Sequence, residues 1–271
     1  MSVTDSKGRT VSGLTQKDFE ILDENAPQPI AYFDHESEPL DILLLLDVSG
    51  SMHRSLMELA ATARAALRPL GPKDRVAVML FARGSAVRQP FTSDFGLVEA
   101  KIADAVKATD LGSGTAINAA IVAAAGYAAG QSAAARRAIL IVTDNLSLNY
   151  RLPDEEVLRA LYAADATLDA ILIGKQRRPE PPKPGVYLNP DFTPSDVFKL
   201  AEQTGGEAVE ARQAGESFQL LIERIRSRYR LQYEAPPAAP GQFRRIQVRL
   251  AAPARHPRAV IRARAGYYAI E

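Results

Sequence analysis

The sequence predicts an α/β fold in which a doubly wound, mostly parallel sheet is inserted in a small antiparallel β domain built from both chain ends. Three observations support this prediction. Strand and helix patterns alternate through the middle of the chain, two middle strands are apolar runs that end in aspartate, and the two ends carry only short β patterns. At 271 residues the chain is long enough for one medium domain and a small partner domain.

Both chain ends carry short stretches of β-branched and aromatic residues between turn-rich pieces. These predicted strands lie at 19–23, 29–35, 229–233, 243–250 and 260–268. An isolated hairpin is only marginally stable in water, so we expect the two ends to join. The sequence therefore predicts a β-sandwich-like flanking domain at 1–38 plus 231–271 and a central domain at 39–230.

The middle of the chain opens with residues 41–47, an unbroken apolar strand of the kind that is buried on both faces of a parallel sheet. An apolar stripe at helical spacing then predicts a helix, and its members are Leu56, Leu59, Ala60, Ala63 and Leu67. Pro69 and the following Gly71-Pro72 end this helix.

The remaining middle elements follow from the same two signals. Apolar runs predict strands at 75–81, 138–144 and 168–174. Apolar stripes, and proline with acidic residues at one helix start, predict helices at 94–108, 116–129, 153–161 and 215–228. The helix at 116–129 is apolar nearly all round, so we expect it to be buried.

Aspartates stand at the carboxyl ends of two predicted strands, Asp47 and Asp144. In open α/β sheets, ligands bind outside these strand ends. A carboxylate beside so apolar a strand is costly to desolvate unless a cation or hydrogen-bond donors compensate it. No lysine or arginine immediately follows either aspartate in the sequence. A bound metal cation is therefore the more economical explanation.

The loop after the first strand, Asp47-Val48-Ser49-Gly50-Ser51, places three oxygen-bearing side chains at i, i+2 and i+4, where they can converge on one ion. With one carboxylate it is weaker in charge than a calcium loop, so an ion that keeps waters, Mg²⁺ or Mn²⁺, fits best, and Ca²⁺ stays an option. The alternative is that Asp47, Ser49 or Ser51 merely caps the helix that begins near His53.

The segment 47–52, which follows an apolar strand, resembles the metal-ion-dependent adhesion site of von Willebrand factor type A domains. That site adds a threonine from a later loop and an aspartate at a later strand end, and residues 111–117 and 141–144 resemble those two segments. The resemblance implies a Rossmann-like fold over 39–230. It implies these metal ligands: Asp47, Ser49, Ser51, Thr115 and Asp144. The family often has glycine where this chain has Asn145.

The resemblance also implies a function. We expect a metal-dependent adhesion or protein-binding module, not an enzyme, whose cation engages a carboxylate of a protein ligand. The flanks, at 13–19 and 265–268, are similar to a bacterial group of related proteins that is mostly extracytoplasmic. We therefore expect a secreted, periplasmic or cell-surface location.

Two other functions are left open. The metal could only stabilise a scaffold, in which case protein ligands would close the site. A haloacid-dehalogenase-like phosphotransferase would need a second aspartate as acid and base, and Ser49 stands in that place. The sequence contains no nucleophile elbow and no phosphate-binding loop of the Walker type.

Composition excludes several other classes. The chain has no cysteine, so disulfides, zinc–thiolate sites and thiol nucleophiles are excluded. A net charge of +1 gives no general attraction to nucleic acid, and the arginines near the C-terminus lack a nucleic-acid motif. Arg262 and Arg264 share one face of their predicted strand, as a solvated face requires. The apolar run Ile42–Leu46 is too short to insert in a membrane. The chain opens as if inside a strand, so we expect a piece of a longer protein.

Two further predictions concern segments away from the metal loop. The proline-rich loop at 175–192 follows a strand end, so it either shapes partner choice or is a plain solvent loop. The helix at 215–228 runs directly into the strand at 229–233. Its movement on ligand binding could therefore be passed to the flanking domain, as similar integrin domains do with their last helix.

Overall fold

The protein forms a central sheet with helices on both faces and smaller antiparallel sheets at its chain ends. The computed structural model describes residues 1–35, 38–131, 135–146, 149–150, 152–174, 192–193, 195–251 and 258–269. The loop predicted at 175–192 therefore lies outside the described residues, apart from Phe192. Its influence on partner choice stays a prediction.

The elements follow in chain order. The first strands are β1 (Ser2–Thr4), β2 (Phe19–Asp23), β3 (Ala26–Gln28) and β4 (Tyr32–His35). The middle comprises β5 (Leu40–Asp47), α1 (His53–Leu67), β6 (Arg75–Phe81), β7 (Ser85–Thr92), α2 (Phe95–Ala105), α3 (Ile117–Ala129), β8 (Arg136–Thr143), β9 (Asn149–Tyr150), α4 (Asp154–Ala163), β10 (Ala166–Ile173), β11 (Phe192–Thr193), α5 (Val197–Thr204), β12 (Ala208–Ala211) and α6 (Ala214–Arg226). The last strands are β13 (Tyr229–Gln232), β14 (Phe243–Leu250), β15 (Val260–Arg262) and β16 (Gly266–Tyr268). Short 3-10 helices cover Gln16–Asp18 and Gly50–Met52.

The central sheet has the strand order β12-β10-β8-β5-β6-β7. All neighbours are parallel except β6 and β7, which are antiparallel. From β5 the chain passes to β6 on one side and later returns to β8 on the other side. The order therefore reverses between β5 and β8, and such a reversal opens a crevice at the carboxyl ends of the strands. Asp47 ends β5 at this crevice, and Asp144 directly follows β8 there. The predicted α/β fold class is confirmed.

The two faces of the sheet explain the apolar strands. Leu44 and Leu46 of β5 pack in the cluster with α1, α2 and α6, whereas Leu43 and Leu45 pack in the cluster with α3, α4 and α5. All four side chains are fully buried. An unbroken apolar run is what a strand covered on both faces requires.

Five middle elements were not predicted from the sequence: β7, α5, β12 and the two-residue strands β9 and β11. Strand β7 contains Pro90 and is only partly buried, so it lacks the apolar run that marks the other strands. It lies at the edge of the sheet, where proline is tolerated. Helix α5 and strand β12 are short, with 8 and 4 residues, so each offers few residues from which a periodic pattern can be recognised.

The chain ends share three antiparallel sheets: β1 with β15, β4 with β13, and the order β16-β14-β2-β3. The prediction of one strand at 260–268 is wrong. Strand β15 pairs with β1, whereas β16 pairs with β14, so the chain must turn between them. The boundaries of the flanking domain stay a prediction. None of the described helices is long and apolar enough to cross a membrane.

Arg262 and Arg264, predicted on a solvated face, are half-buried, and the arginines near the C-terminus form a series of ion pairs. Most of them pair with carboxylates, and the pairs are Arg224–Glu207, Arg226–Asp74, Arg228–Asp169, Arg230–Glu38, Arg244–Asp23 and Arg264–Asp165. Arg228 is 5% exposed and Asp169 is fully buried, so this pair lies in the interior. The Arg228–Asp169 pair attaches the segment after α6 to the central sheet, whereas the Arg244–Asp23 pair joins β14 to β2.

Candidate metal centre

Asp47 is the most deeply buried of the predicted site residues, with no exposed surface. Its Oδ1 accepts a 2.9 Å hydrogen bond from the Ser49 amide, and its Oδ2 accepts a 2.7 Å bond from the Thr143 hydroxyl. Burial raises the pKa of Asp47, and the nearby charge of Asp144 raises it further. No basic side chain among the described residues pairs with Asp47. Its negative charge is therefore hydrogen-bonded but not neutralised.

Ser49 and Ser51 lie in the turn between β5 and α1. Their hydroxyl oxygens are 3.3 Å apart, and the Ser51 hydroxyl donates a 2.6 Å hydrogen bond to Oδ2 of Asp144. This bond joins the loop after β5 to the residue after β8. Three of the predicted ligands, Ser49, Ser51 and Asp144, are therefore linked by side-chain contacts, and the Ser49 amide extends the chain of contacts to Asp47.

The helix-capping alternative does not describe these side chains. Ser49 is the N-cap of the short 3-10 helix Gly50–Met52, but its side chain makes no capping bond. The N-cap of α1 is Met52, again without a side-chain capping bond. Ser51 donates to a carboxylate on another strand instead. The side chains of the two serines therefore face the crevice and do not cap the start of the helix.

Asp144 and Asn145 form the second half of the crevice. Asp144 is 8% exposed, and its Oδ1 accepts a 3.1 Å bond from the Leu146 amide. Asn145 has a φ of 56°, in the left-handed region that glycine and asparagine adopt most readily. Asparagine therefore keeps the loop conformation at the position where similar domains often have glycine. The Oδ1 atom of Asn145 is buried, and no described residue donates to it.

Thr115 reaches the same edge of the sheet through a separate loop. The Ala116 amide donates to the carbonyl of Ala82, which directly follows β6, and the Gly84 amide donates to the carbonyl of Leu111. Because β6 is the neighbour of β5, these bonds place the Thr115 loop beside the serine loop. A cavity of about 350 Å³ lies between them, lined by Ser49 and Gly50 on one side and by Ser113 and Gly114 on the other.

The oxygen atoms of this centre fit a hard divalent cation. The predicted set contains two carboxylates and three hydroxyl groups, and Mg²⁺ is commonly held by one or two carboxylates with waters completing its shell. Among the described residues, no group of three or more acidic, histidine or cysteine side chains is placed to hold a metal ion, so a site here depends on hydroxyl ligands. Among the described residues, the carboxylates of Asp47 and Asp144 have no basic partner, and the buried Asn145 Oδ1 accepts no hydrogen bond.

Sequence reasoning missed Thr143, which is fully buried and donates to Asp47. Its hydroxyl also accepts a 3.1 Å bond from the Asn145 amide, so it orients both halves of the crevice. A single hydroxyl residue at the end of an aliphatic strand is the signal that could have found it. His53 is exposed at the start of α1.

Comparison with known proteins agrees with this architecture. Residues 42–146 match the family model for the von Willebrand factor type A domain. The fold is similar to a von Willebrand factor type A protein from Catenulispora acidiphila, with a TM-score of 0.53 and 16% identity over 93% of this chain and 72% of the other. It is also similar to BatB from Bacteroides thetaiotaomicron, with a TM-score of 0.52 and 18% identity over 69% of this chain and 97% of the other.

A third similar structure is that of an aerotolerance-related membrane protein from Bacteroides fragilis, with a TM-score of 0.52 and 18% identity over 69% of this chain and 98% of the other. At these identities the likeness shows the fold. No curated protein matches the chain in sequence.

Proposed function

Since this chain contains a von Willebrand factor type A domain, we propose that it is a metal-dependent protein-binding module. A divalent cation, Mg²⁺ in the first place and otherwise Mn²⁺ or Ca²⁺, would engage an acidic group offered by a partner protein. The proposed ligands of the cation are Asp47, Ser49, Ser51, Thr115 and Asp144.

The environment of the Asp47 carboxylate is the main support for this proposal. Its carboxylate is fully buried and accepts two hydrogen bonds, yet the described residues offer it no cation. An ionised carboxylate in such surroundings is costly, and a bound divalent cation would offset that cost. The hydroxyls of Ser49 and Ser51 lie in the same turn and supply neutral oxygen ligands.

The mixture of ligands favours binding an outside carboxylate. Hydroxyl ligands transfer less negative charge to a cation than a full set of carboxylates would, so the ion keeps its attraction for a further anion. Mg²⁺ and Mn²⁺ also retain waters that such an anion can replace. The crevice opens at the carboxyl edge of the sheet, where the exposed Ser51 lies at the surface.

The test is water-proton relaxation with Mn²⁺ bound to the full chain. Bound Mn²⁺ that keeps an exchangeable water speeds relaxation, and a carboxylate that replaces this water reverses the effect. We expect faster relaxation on Mn²⁺ binding and a decrease on adding a short peptide with one glutamate. The same peptide with glutamine is the control and should have no effect.

The scaffold alternative makes the opposite prediction. If protein ligands closed the site, bound Mn²⁺ would have no exchangeable water and the glutamate peptide would change nothing. Strong Mn²⁺ binding without faster relaxation would therefore replace our proposal with a metal that only stabilises the fold.

The phosphotransferase alternative lacks an acid–base residue. Ser49 stands where that chemistry needs a second aspartate, and its amide and hydroxyl are in contact with Asp47 and Ser51. We expect no turnover of phosphate esters in the presence of Mg²⁺. Clear turnover that disappears in Asp47→Asn would establish the enzyme instead.

We also propose an extracytoplasmic location, secreted, periplasmic or on the cell surface, because the flanks resemble a bacterial group that is mostly found there. The partner would be a protein with an exposed carboxylate, and the proposal involves neither nucleic acid nor insertion of this chain in a membrane. Fractionation of the native cells with an antibody to the chain tests the location, and recovery in the cytoplasm would contradict it.

A further inference from the structure

A groove of about 740 Å³ lies between the central sheet and the sheets formed by the chain ends. It is lined by Leu40, Arg136 and Thr167, which stand at the amino-terminal ends of β5, β8 and β10. Asp47 and Asp144 stand at the carboxyl ends of β5 and β8. The groove is therefore at the opposite edge of the sheet from the metal centre and is a separate feature.

One wall of the groove is apolar and incompletely covered. Strand β14 alternates between exposed and half-buried residues, and its half-buried residues Ile246 and Val248 line the groove. Leu40 and Ile225, which belong to the buried core of the central sheet, also line the groove. An apolar sheet face is normally packed against another layer. Here the two layers do not close on each other, and space of ligand size remains between them.

The end of the groove at β8 is positively charged. The guanidinium of Arg136 donates to the carbonyl oxygens of Arg228 and Arg226, at 2.9 and 3.1 Å, and forms no ion pair with a described carboxylate. Arg228 is paired with Asp169. The Nε atoms of both Arg136 and Arg228 are buried without a hydrogen-bond partner among the described residues. The half-buried Arg136 and the buried Arg228 therefore lie side by side, and of the two only Arg228 is paired with a carboxylate among the described residues.

The surroundings of Arg136 disfavour its own charge. Burial lowers the pKa of Arg136 to about 10, and the neighbouring charges of Arg226 and Arg228 contribute to this decrease. Asp34 and Glu38 offset this decrease only in part, so an anion placed in the groove would add countercharge and raise the pKa of Arg136. The positive charge and the incomplete hydrogen bonding at this end of the groove thus both favour an anion.

We propose that the groove binds a small amphiphilic carboxylate, with its carboxylate towards Arg136 and its apolar body against Ile246 and Val248. The volume suits such a ligand, because small-molecule sites usually measure about 300–1,000 Å³ and combine apolar walls with a few polar groups. Tyr233 and Tyr267 also line the groove, and both donate a hydrogen bond to the buried carboxylate of Asp23. These bonds fix the two rings as rigid parts of the wall.

The experiment is isothermal titration calorimetry of octanoate into the full chain with EDTA present, so that the metal centre plays no part. Octan-1-ol and octyltrimethylammonium are the neutral and cationic probes of the same chain length. We expect octanoate to bind at least about tenfold more tightly than octan-1-ol, a difference of about 1.4 kcal/mol. The cationic probe should not bind.

Two pairs of variants locate the binding. Ile246→Trp fills the groove, whereas Gln247→Trp adds the same ring to the exposed face of the same strand. We expect octanoate affinity to fall at least about tenfold in Ile246→Trp and to change less than about twofold in Gln247→Trp. Arg136→Gln should remove the preference for octanoate over octan-1-ol, and Arg136→Lys should keep it. Thermal unfolding shows whether each variant is folded.

Several results would overturn the proposal. Equal affinity for octanoate and octan-1-ol would remove the charge argument, and equal effects of the two tryptophan variants would place the binding elsewhere. Absence of any binding would mean that the groove is not a site for this class of ligand. A second copy of the chain is the alternative occupant of the groove, and sedimentation equilibrium tests it. A dimer that dissociates in Ile246→Trp would assign the groove to this second copy.

Discussion

The hydroxyl of Ser51 donates a 2.6 Å hydrogen bond to Oδ2 of Asp144, a residue 93 positions later in the chain. This bond bridges the two strands between which the order of the central sheet reverses. It joins the serine loop after β5 to the aspartate after β8, so the two halves of the proposed metal centre are held together by side chains that would also bind the ion.

Ser51→Ala should weaken Mg²⁺ binding at least about tenfold, because it removes one oxygen ligand and the bond that positions Asp144. Hydrogen bonds to charged groups contribute about 1.5–3 kcal/mol when buried, and the exposure of Ser51 puts the loss of folding free energy at the lower end of that range. Calorimetric titration and urea unfolding measure the two effects. Ser113→Ala, on the facing loop, is the control and should change neither; unchanged Mg²⁺ affinity in Ser51→Ala would contradict its role.

Asp47→Asn should stabilise the metal-free protein while it abolishes the stabilisation by Mg²⁺. The amide side chain introduced by this substitution could still accept from the Ser49 amide and could donate to the Thr143 hydroxyl, so the hydrogen bonds survive and the buried charge is lost. Asp41→Asn is the contrasting variant. Asp41 stands at the other end of β5 and is paired with Arg75 through bonds of 2.9 and 2.6 Å, so this change should destabilise the protein by about 1–3 kcal/mol.

The stability that metal-free protein gains from Asp47→Asn should also depend on pH. Folding raises the pKa of Asp47 above its ordinary 3.8, so the folded state binds the proton more tightly than the unfolded state. The cost of the buried charge is absent below the unfolded pKa and grows as the pH rises through the folded pKa. In metal-free protein, the free energy of unfolding of Asp47→Asn should therefore exceed that of the unsubstituted chain by an amount that increases between about pH 4 and neutrality. Urea unfolding across this range measures the difference in free energy of unfolding. A difference that shrinks with rising pH would contradict the raised pKa of the buried Asp47.

Asn145→Gly and Asn145→Ala should differ in stability because of the backbone at this position. A φ of 56° is free of strain for glycine, but costs about 1–2 kcal/mol for alanine. We expect Asn145→Gly to unfold at nearly the same urea concentration as the unsubstituted chain and Asn145→Ala at a lower one. Two variants of equal stability would show that the loop does not hold this conformation in solution.

The last helix of the central fold, α6, gives a prediction about movement. Its start is tied to α1 by the Ala214 amide and Glu58, and beyond its end Arg228 is paired with the buried Asp169. Sliding of α6 would have to break this interior pair, so its cost is high. If ligand binding nevertheless moves the helix, spin labels at Met57→Cys on α1 and Leu220→Cys on α6, both exposed, should change their separation by about 1–2 Å.

The chain contains no cysteine, so these two labels would be unique. Pulsed electron–electron double resonance with Mg²⁺, and with Mg²⁺ plus the glutamate peptide, measures the separation. Identical distance distributions in the two states would show that binding is not passed through α6.

The apolar runs made the central sheet predictable, because strands covered on both faces need a side chain such as Leu43 or Leu44 at every position. The edge strand β7 has a single neighbour and contains Pro90, so its sequence carries no comparable signal. Likewise, the split between β15 and β16 depends on which distant strands they pair with. No local pattern encodes the choice between β1 and β14 as a partner.

The candidate site was predictable to the extent that its residues follow strand ends. Asp47 and Asp144 were found by position, and the resemblance supplied Thr115. Thr143 was missed because a threonine in a strand ordinarily signals β-propensity, and its contact with Asp47 requires two strands to be neighbours. The groove at Arg136 could not be predicted, since its walls come from β5, β8, β13 and β14, which meet only in the folded chain.

Isothermal titration calorimetry of Mg²⁺ into the unsubstituted chain and into Asp47→Ala is the most direct test of the central claim, that the crevice between β5 and β8 holds a divalent cation. Asp104→Ala, which removes a surface partner of Lys101, is the matched control. We predict a saturable heat with one site in the unsubstituted chain and in the control, and no such heat in Asp47→Ala. Equal heats in all three proteins would contradict the assignment of Asp47 as a metal ligand.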